Sequence, residues 1–235
     1  MPRSVHRASV IATPTDWVRR TVIEAFDVAP DRVVVVPHGV EADIGVDAPS
    51  EFELRRDYGL GSGRVIVFPA ITHPHKGHAF LLDVMAQHWD DPDLRLVLLG
   101  GQGLADRAIA AKIAELHLER RVIRPGRVPS SHRDGLLRLA HAVVFPSEYE
   151  GFGAPVIEAM SLDTPVIAAD QPAVAEVIGG AGLVLPRDPE AWADALDTVA
   201  DQRVELIAAG RQRVTEFTAA KSGAALAEAY RLALS

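Results

Sequence analysis

The 235-residue chain contains no cysteine, which excludes disulfides, thiolate metal sites and a cysteine nucleophile. It has no apolar run approaching the ~20 residues needed to cross a bilayer. Its N-terminus, MPRSVHRASVIATP, is basic but lacks the long apolar core and cleavage site of a secretory signal. The cytoplasm is therefore the expected compartment, with any membrane association peripheral and at the inner face. An excess of positive charge is missing too: 24 Lys and Arg face 32 Asp and Glu, a net charge of −8. Nucleic acid or an anionic membrane would require a concentrated basic face, so neither is an expected partner. Binding one phosphate compound needs only a local cluster of donors and stays open. Internal repeats and low-complexity tracts are absent as well.

What is present points to an α/β fold. Hydrophobic residues make up 48% of the chain, enough for a substantial core, and the length suits one large domain or two small ones. Short β-branched apolar runs mark strands at 9–12, 32–37, 64–70, 94–100, 121–126, 142–147, 165–169 and 183–186. Between them lie stretches with a period near 3.6, such as HAFLLDVMAQHW, ADRAIAAKIAELHL, HRDGLLRLA and PVIEAMSL. Continuous apolar strands separated by helices indicate parallel strands buried on both faces. Right-handed crossovers then produce an open, doubly wound, Rossmann-like parallel sheet. Region 41–63 carries the polar, Gly and Pro signals of a linker or surface excursion, setting a short N-terminal βαβ piece apart from the main sheet.

Ligands of such sheets bind beyond the carboxyl ends of the strands, so the loops there are the informative ones. The first, Pro69 to His78, ends a strand and opens a helix near Gly77, which sets Lys76 beside a helix N-terminus. The lysine and the free backbone N–H groups both favour phosphate. Read alone, the same lysine is a solvated surface residue. His73, His75 and His78 have no accompanying acidic or histidine cluster, so a metal is not expected. One histidine is expected to donate to a sugar or phosphate, the others to pack or face solvent.

The second loop, Gly100-Gly101-Gln102-Gly103, allows close backbone approach to a ligand. It fails as a dinucleotide fingerprint, because Asp106 stands where a third small residue belongs and no acidic residue ends a second strand at the usual distance. A tight turn explains it equally well. The third loop, Arg124 to Val128, edges a candidate nucleobase pocket, with Arg127 free for a phosphate or paired to a carboxylate.

The fourth loop is the most specific. After AVVFPS the chain reads EYEGFGAPVIEAM, and Pro155 suits the first position of a helix. Glu158 then falls in the first turn, with its side chain leaning back toward the loop. Glu150 sits on the other side of Gly151 and Gly153. Both carboxylates are expected to converge on one concave site with the N–H groups of a helix start. Carboxylates accept hydrogen bonds from sugar hydroxyls while N–H groups hold phosphate. The plainer reading makes Glu158 a helix-dipole partner and Glu150 a solvated side chain.

The stretch EGFGAPVIEAMSLDTPVIA resembles the E-x7-E motif of glycosyltransferase family 4, the retaining enzymes of GT-B architecture. The likeness continues through VVVVPHGVE, FPAITHPHKGH, LVLLGGQG, LLRLAHAVVFPSEYEGFG and QPAVAEVIGGAGLVLPRDPEAWADAL, from about residue 8 onward. It implies a C-terminal, donor-binding half of such an enzyme, of a mannosyltransferase-like subgroup. Lys76 resembles the diphosphate-binding lysine and Glu158 the ribose-binding glutamate. Glu150, Gly151, Phe152 and Gly153 resemble the segment holding the donor sugar and phosphate. Gly39 matches the interdomain hinge. Gly101, in the loop that allows close backbone approach, is a further candidate for donor binding. Many members carry an arginine five residues before the lysine, where this chain has Ile71, so phosphate binding is expected to draw on His75 or Arg127.

The resemblance divides the chain into residues 1–40, a remnant of the acceptor domain and hinge, and 41–235, the nucleotide-sugar domain. The last helix, at about 218–234, is expected to pack back toward the N-terminal piece. Most of the acceptor domain is missing from the sequence, which implies an incomplete enzyme or one that works with a partner. The implied reaction moves a sugar, mannose or glucose, from a UDP-, GDP- or ADP-linked donor to a hydroxyl of a glycan or lipid-linked acceptor. Glu150 and Lys76 are the candidate catalytic residues, and no cofactor or metal is required. Two other readings stand: a nucleotide-sugar-binding or assembly module without catalysis, and a sugar-nucleotide epimerase, which lacks this E-x7-E arrangement. An unpaired domain face would favour homo-oligomers.

Overall fold

The computed structural model describes residues 2–234. The main sheet has the order β5-β4-β3-β6-β7-β8 and every pairing in it is parallel. Its strands are β3 (Val65–Pro69), β4 (Arg95–Leu99), β5 (Val122–Gly126), β6 (Ala142–Phe145), β7 (Val166–Ala169) and β8 (Leu183–Leu185). All eight strands expected from the sequence form. For the central β3, β4, β6 and β7 the apolar runs dictate this, because a strand covered by helices on both faces has no side that tolerates polar residues. All four residues of β6 and of β7 are buried accordingly.

This order is that of a doubly wound sheet. The chain builds outward from β3 through β4 to β5, then returns to add β6, β7 and β8 on the other side. The loops after β3 and β6 therefore lie side by side where the winding reverses. Helix α4 (His78–Gln87) follows the first loop and α7 (Ala154–Ser161) follows the second. Trp89 and Trp192 lock the core at one flank, with the Trp89 indole N–H donating to the Trp192 carbonyl at 3.1 Å and the Trp192 indole N–H to Pro186 at 2.9 Å.

The N-terminal unit is separate from this sheet. Strand β1 (Ile11–Thr13) pairs in parallel with β2 (Val33–Val35) across helix α2 (Asp16–Phe26). No residue of α2 is fully buried, so the unit is held by directed polar contacts more than by a core of its own. Glu176, on α8 (Pro172–Ile178), accepts hydrogen bonds from the backbone N–H groups of Asp16 and Trp17 at 2.7 and 2.8 Å. Those donors belong to the first turn of α2 and have no intrahelical partner. After β2 the chain meets the C-terminal segment closely: a Cβ on Gly39 would lie 2.7 Å from the Ala219 Cα. Here α11 (Ala219–Leu234) begins, and the Ser222 hydroxyl donates to the Pro37 carbonyl at 2.6 Å.

Region 41–63 departs from its expectation as a linker. It contains helix α3 (Glu51–Asp57), started by a capping box in which the Ser50 hydroxyl accepts from the Glu53 N–H while the Glu53 carboxylate accepts from the Ser50 N–H. Leu54 and Leu60 are fully buried in the main core. The polar residues that suggested a linker form the exposed face of a short helix that buries only Leu54, with Leu60 added by the turn after it.

Replacing Glu176 with Ala should unpin the N-terminal unit while leaving the main sheet folded, since charge-assisted bonds to N–H groups contribute ~1.5–3 kcal/mol. Amide hydrogen exchange should accelerate across Asp16–Phe26 and stay unchanged in β6 and β7. Equal acceleration in all three would show that the two parts unfold together.

Candidate functional site

The reversal point is closed by three contacts between the two loops. Gly77, at φ +80, lies so close to β6 that a Cβ there would sit 2.3 Å from the Pro146 carbonyl oxygen. The Glu148 N–H donates to the His75 carbonyl at 2.8 Å. Lys76, in the 3-10 turn Pro74–Lys76, reaches across to Glu150, with Nζ 2.6 Å from Oε1. The lysine and glutamate side chains retain only 22% and 12% of their exposure, so the pair is screened little by solvent. Arg187 braces the second loop, pairing with Glu148 at 2.8 Å and donating to the Pro146 carbonyl at 3.2 Å.

The glycine segment after Glu150 is fixed from two sides. The Gln171 amide donates to the Glu150 carbonyl at 3.2 Å, and the Thr15 hydroxyl donates to the Gly151 carbonyl at 3.1 Å. The N-terminal unit thus touches this loop directly. Gly153 takes φ +88 immediately before α7, so the helix starts at Ala154 and Pro155 is its second residue. Glu158 consequently lies one turn into the helix, not in its first turn. Phe152 is buried, edge-on to His38 and Phe217 at ring separations of 4.9 and 5.5 Å. Its ring packs into the fold.

A cavity of about 390 Å³ opens along the strand ends beside this segment. It is lined by Ile71 after β3, by Gly100 and Gly101 after β4, by Gly126, Arg127 and Val128 after β5, and by Arg133, Ala154, Pro155 and Glu158. A smaller cavity of about 160 Å³, lined by His38, Gly39, Glu41 and Phe152, shares Arg133, Ala154 and Glu158 with it. Glu158 and Arg133 therefore stand between the two spaces. Glu150 and Lys76 line neither cavity; each is occupied by the other. The two glutamates are thus placed apart, Glu150 at the loop junction and Glu158 in the cavity wall, where the spacing suggested one shared concavity.

Burial pushes the Glu158 carboxyl above the ordinary carboxylate range; Arg133 opposes the shift, while Asp134 and Glu41 add to it. Arg133 is itself held by Asp134 at 2.7 Å, and the Asp134 carboxylate accepts from the Gly45 N–H at 3.1 Å. Sequence reasoning missed Arg133, Asp134 and Glu41, and nothing in their local pattern marks them. They meet Glu158 only because α6 (Ser130–Leu139) and the 40–45 segment flank α7.

The three histidines separate. His73 and His75 stack at 5.9 Å with ring planes 9° apart, and no potential metal cluster occurs among the described residues. His75 does not reach the cavity. His78 is buried against Phe68, ring to ring at 4.5 Å, without a well-formed hydrogen bond at either nitrogen. Burial lowers its pKa to about 4, with the Ala70 backbone opposing.

Two pH-linked outcomes follow from these buried groups. His78 is neutral in the fold but protonates below ~6.5 in the unfolded chain, so its contribution is complete above that pH and is lost as pH falls toward about 4. Denaturant melts of His78→Leu should lack this acid-side loss of up to one proton per molecule; an unchanged pH slope would remove His78 from the account. Glu158 has the opposite sign, because a carboxyl raised by folding lowers stability once pH exceeds its unfolded value near 4.3. Glu158→Gln should therefore melt higher at pH 7, by about 2–4 °C for each kcal/mol relieved. The gain should vanish below about pH 4. A lower melting temperature at pH 7 would contradict this.

The sequence profile described as "Glycosyl transferases group 1" matches residues 63–202. A D-inositol 3-phosphate glycosyltransferase of Corynebacterium glutamicum is 32% identical over 98% of this chain and 59% of its own length. An O-antigen chain mannosyltransferase B of Escherichia coli is 30% identical over 81% of this chain and 52% of its own length. The chain thus spans little more than half of these relatives. Among solved structures, the Anabaena HepE protein in complex with UDP and glucose superposes with a TM-score of 0.83, at 22% identity, over 95% of this chain and 63% of that one. The shared fold is the Rossmann-like half of a GT-B architecture. A sequence profile and a strand order that agree over the same residues lead to one assignment: this chain belongs to the glycosyl transferases group 1 family.

Proposed function

We propose that this chain is the donor-binding half of a retaining glycosyltransferase, transferring a hexose such as mannose or glucose from a nucleoside-diphosphate sugar to an acceptor hydroxyl. The observation that carries the reading is the Lys76–Glu150 pair at the sheet's reversal point, next to a cavity that runs from the start of α7 past Glu158. Named relatives that transfer sugars, and a structural neighbour that holds UDP with glucose, support the same ligand class.

In this reading the diphosphate lies at the N-terminus of α7, where free N–H groups and the helix dipole favour an anion. Lys76 exchanges its carboxylate partner for the diphosphate and stabilises the negative charge that develops as the leaving group departs. Glu150, once released, accepts hydrogen bonds from the sugar. Glu158 accepts from the ribose hydroxyls, which explains a raised carboxyl kept in a half-buried wall. Arg127, exposed at the cavity edge beside Gly101, supplies the charge that Ile71 does not. The acceptor hydroxyl attacks on the face the leaving group vacates, which retains the anomeric configuration. The acceptor, a glycan or lipid-linked sugar, is held by a further domain or partner on the side of the N-terminal unit.

A nucleotide-sugar-binding module without turnover would use the same donor site. Calorimetric titration with UDP-, GDP- and ADP-sugars tests the common ground of both. One nucleotide class should bind, and Lys76→Ala and Glu158→Ala should each weaken it at least tenfold, or about 1.4 kcal/mol. Unchanged affinity in both variants would refute the site. Release of nucleoside diphosphate on adding acceptor sugars then separates an enzyme from a binding module.

A further inference from the structure

Next to the main cavity lies a second one of about 190 Å³, lined by Thr72, Gln102, Asp106 and Arg124 with Ala70, Leu98, Gly100 and Gly126. The two share Ala70, Gly100 and Gly126. At Gly126 a Cβ would meet nothing within 4 Å, so open space joins them over that residue. With the diphosphate at α7 and the ribose at Glu158, the base points along the cavity toward this end. That orientation rests on the donor-site reading above.

Asp106 and Arg124 form an ion pair here, with side chains retaining 19% and 28% of their exposure. Both hydrogen bonds to Asp106 fall on the same oxygen: Oδ1 accepts from Arg124 and from the Thr72 hydroxyl at 3.2 Å. The Thr72 hydroxyl in turn accepts from the Gly103 N–H at 2.7 Å, which ties the pair to the glycine loop. Asp106 Oδ2 and the Arg124 nitrogens not bonded to Asp106 have no such partner. The recess therefore offers a carboxylate acceptor beside a guanidinium donor, both anchored, at the end of a cavity walled by glycines.

We infer that Asp106 and Arg124 read the base of the donor nucleotide and select guanine. Guanine presents two adjacent donors, N1–H and the 2-amino group, next to the O6 acceptor. With Oδ1 held by Arg124 and Thr72, Oδ2 has both lone pairs left to accept from the two donors while the guanidinium donates to O6. Uracil offers one N–H flanked by two carbonyl oxygens, so a carboxylate facing it gains one bond and meets an oxygen. Adenine offers a single amino group beside a ring acceptor, and so satisfies the carboxylate only once. The mismatched bases leave a partly buried charge less well bonded, which is the strongest source of discrimination in such sites.

The test is equilibrium titration of the chain with GDP, IDP, UDP and ADP, on the natural protein and on Asp106→Asn. GDP should bind at least roughly tenfold more tightly than UDP or ADP. IDP, which lacks the 2-amino group, should bind less tightly than GDP, and this comparison needs no variant to fold. Asp106→Asn should lower GDP affinity by about tenfold and leave UDP within about twofold. UDP or ADP binding as tightly as GDP, equal binding of GDP and IDP, or a uniform loss across nucleotides in Asp106→Asn each overturns the inference while the donor site stands. If none of the four binds, the donor reading fails and this one with it.

Discussion

Everything at the candidate site depends on the contact between the loops after β3 and β6. The strand order forces these loops to lie side by side, and Gly77 lets them touch with no side chain between. Once closed, that contact decides which residues face which. Lys76 meets Glu150, His75 meets Glu148 through the backbone, and α7 begins four residues after Glu150. A substitution that widened this contact would displace every group the site uses, without removing any of them.

The junction and the cavity wall beside it combine features that oppose stability. Lys76 and Glu150 are largely withdrawn from water, Glu158 is pushed toward its neutral form, and His78 is buried without a good hydrogen-bond partner. Isolated in a core, each costs free energy that packing elsewhere must offset. Such groups gather where a ligand would complete their interactions, and charged ligands do so most effectively. The six-stranded sheet and its tryptophan flank carry the stability that makes this tolerable. The N-terminal unit adds polar pins, through Thr15 and Glu176, and presses against the glycine segment that a donor would touch.

The fold and several residues of the candidate site were legible in the sequence, for different reasons. Eight apolar runs became eight strands, and in the central β3, β4, β6 and β7 burial on both faces leaves no other composition. Lys76, Glu150 and Glu158 stood out because they follow strands and adjoin glycines and a helix start. Helix α3 was not visible as a helix, since its seven residues are mostly charged and only Leu54 within it is buried. Arg133 and Asp134 carried no signal, because an Arg-Asp pair on a helix is ordinarily a solvated face. Asp106 stood in plain view as the residue that spoiled a dinucleotide fingerprint, yet its pairing with Arg124 links a helix start to strand β5 and has no local signature.

The sequence by itself determined the fold class and the direction of the strands, which follow from composition and spacing along a single chain. The family followed from the resemblance of its ordered motifs. Tertiary structure alone decided that Glu150 faces Lys76 while Glu158 faces Arg133, and that a recess beyond Gly126 holds a carboxylate and a guanidinium. Residues 74 positions apart in the chain come within 2.6 Å only because the sheet reverses its winding between β3 and β6. Spacing in the sequence encodes neighbours along a helix or strand, and it does not encode neighbours across a sheet.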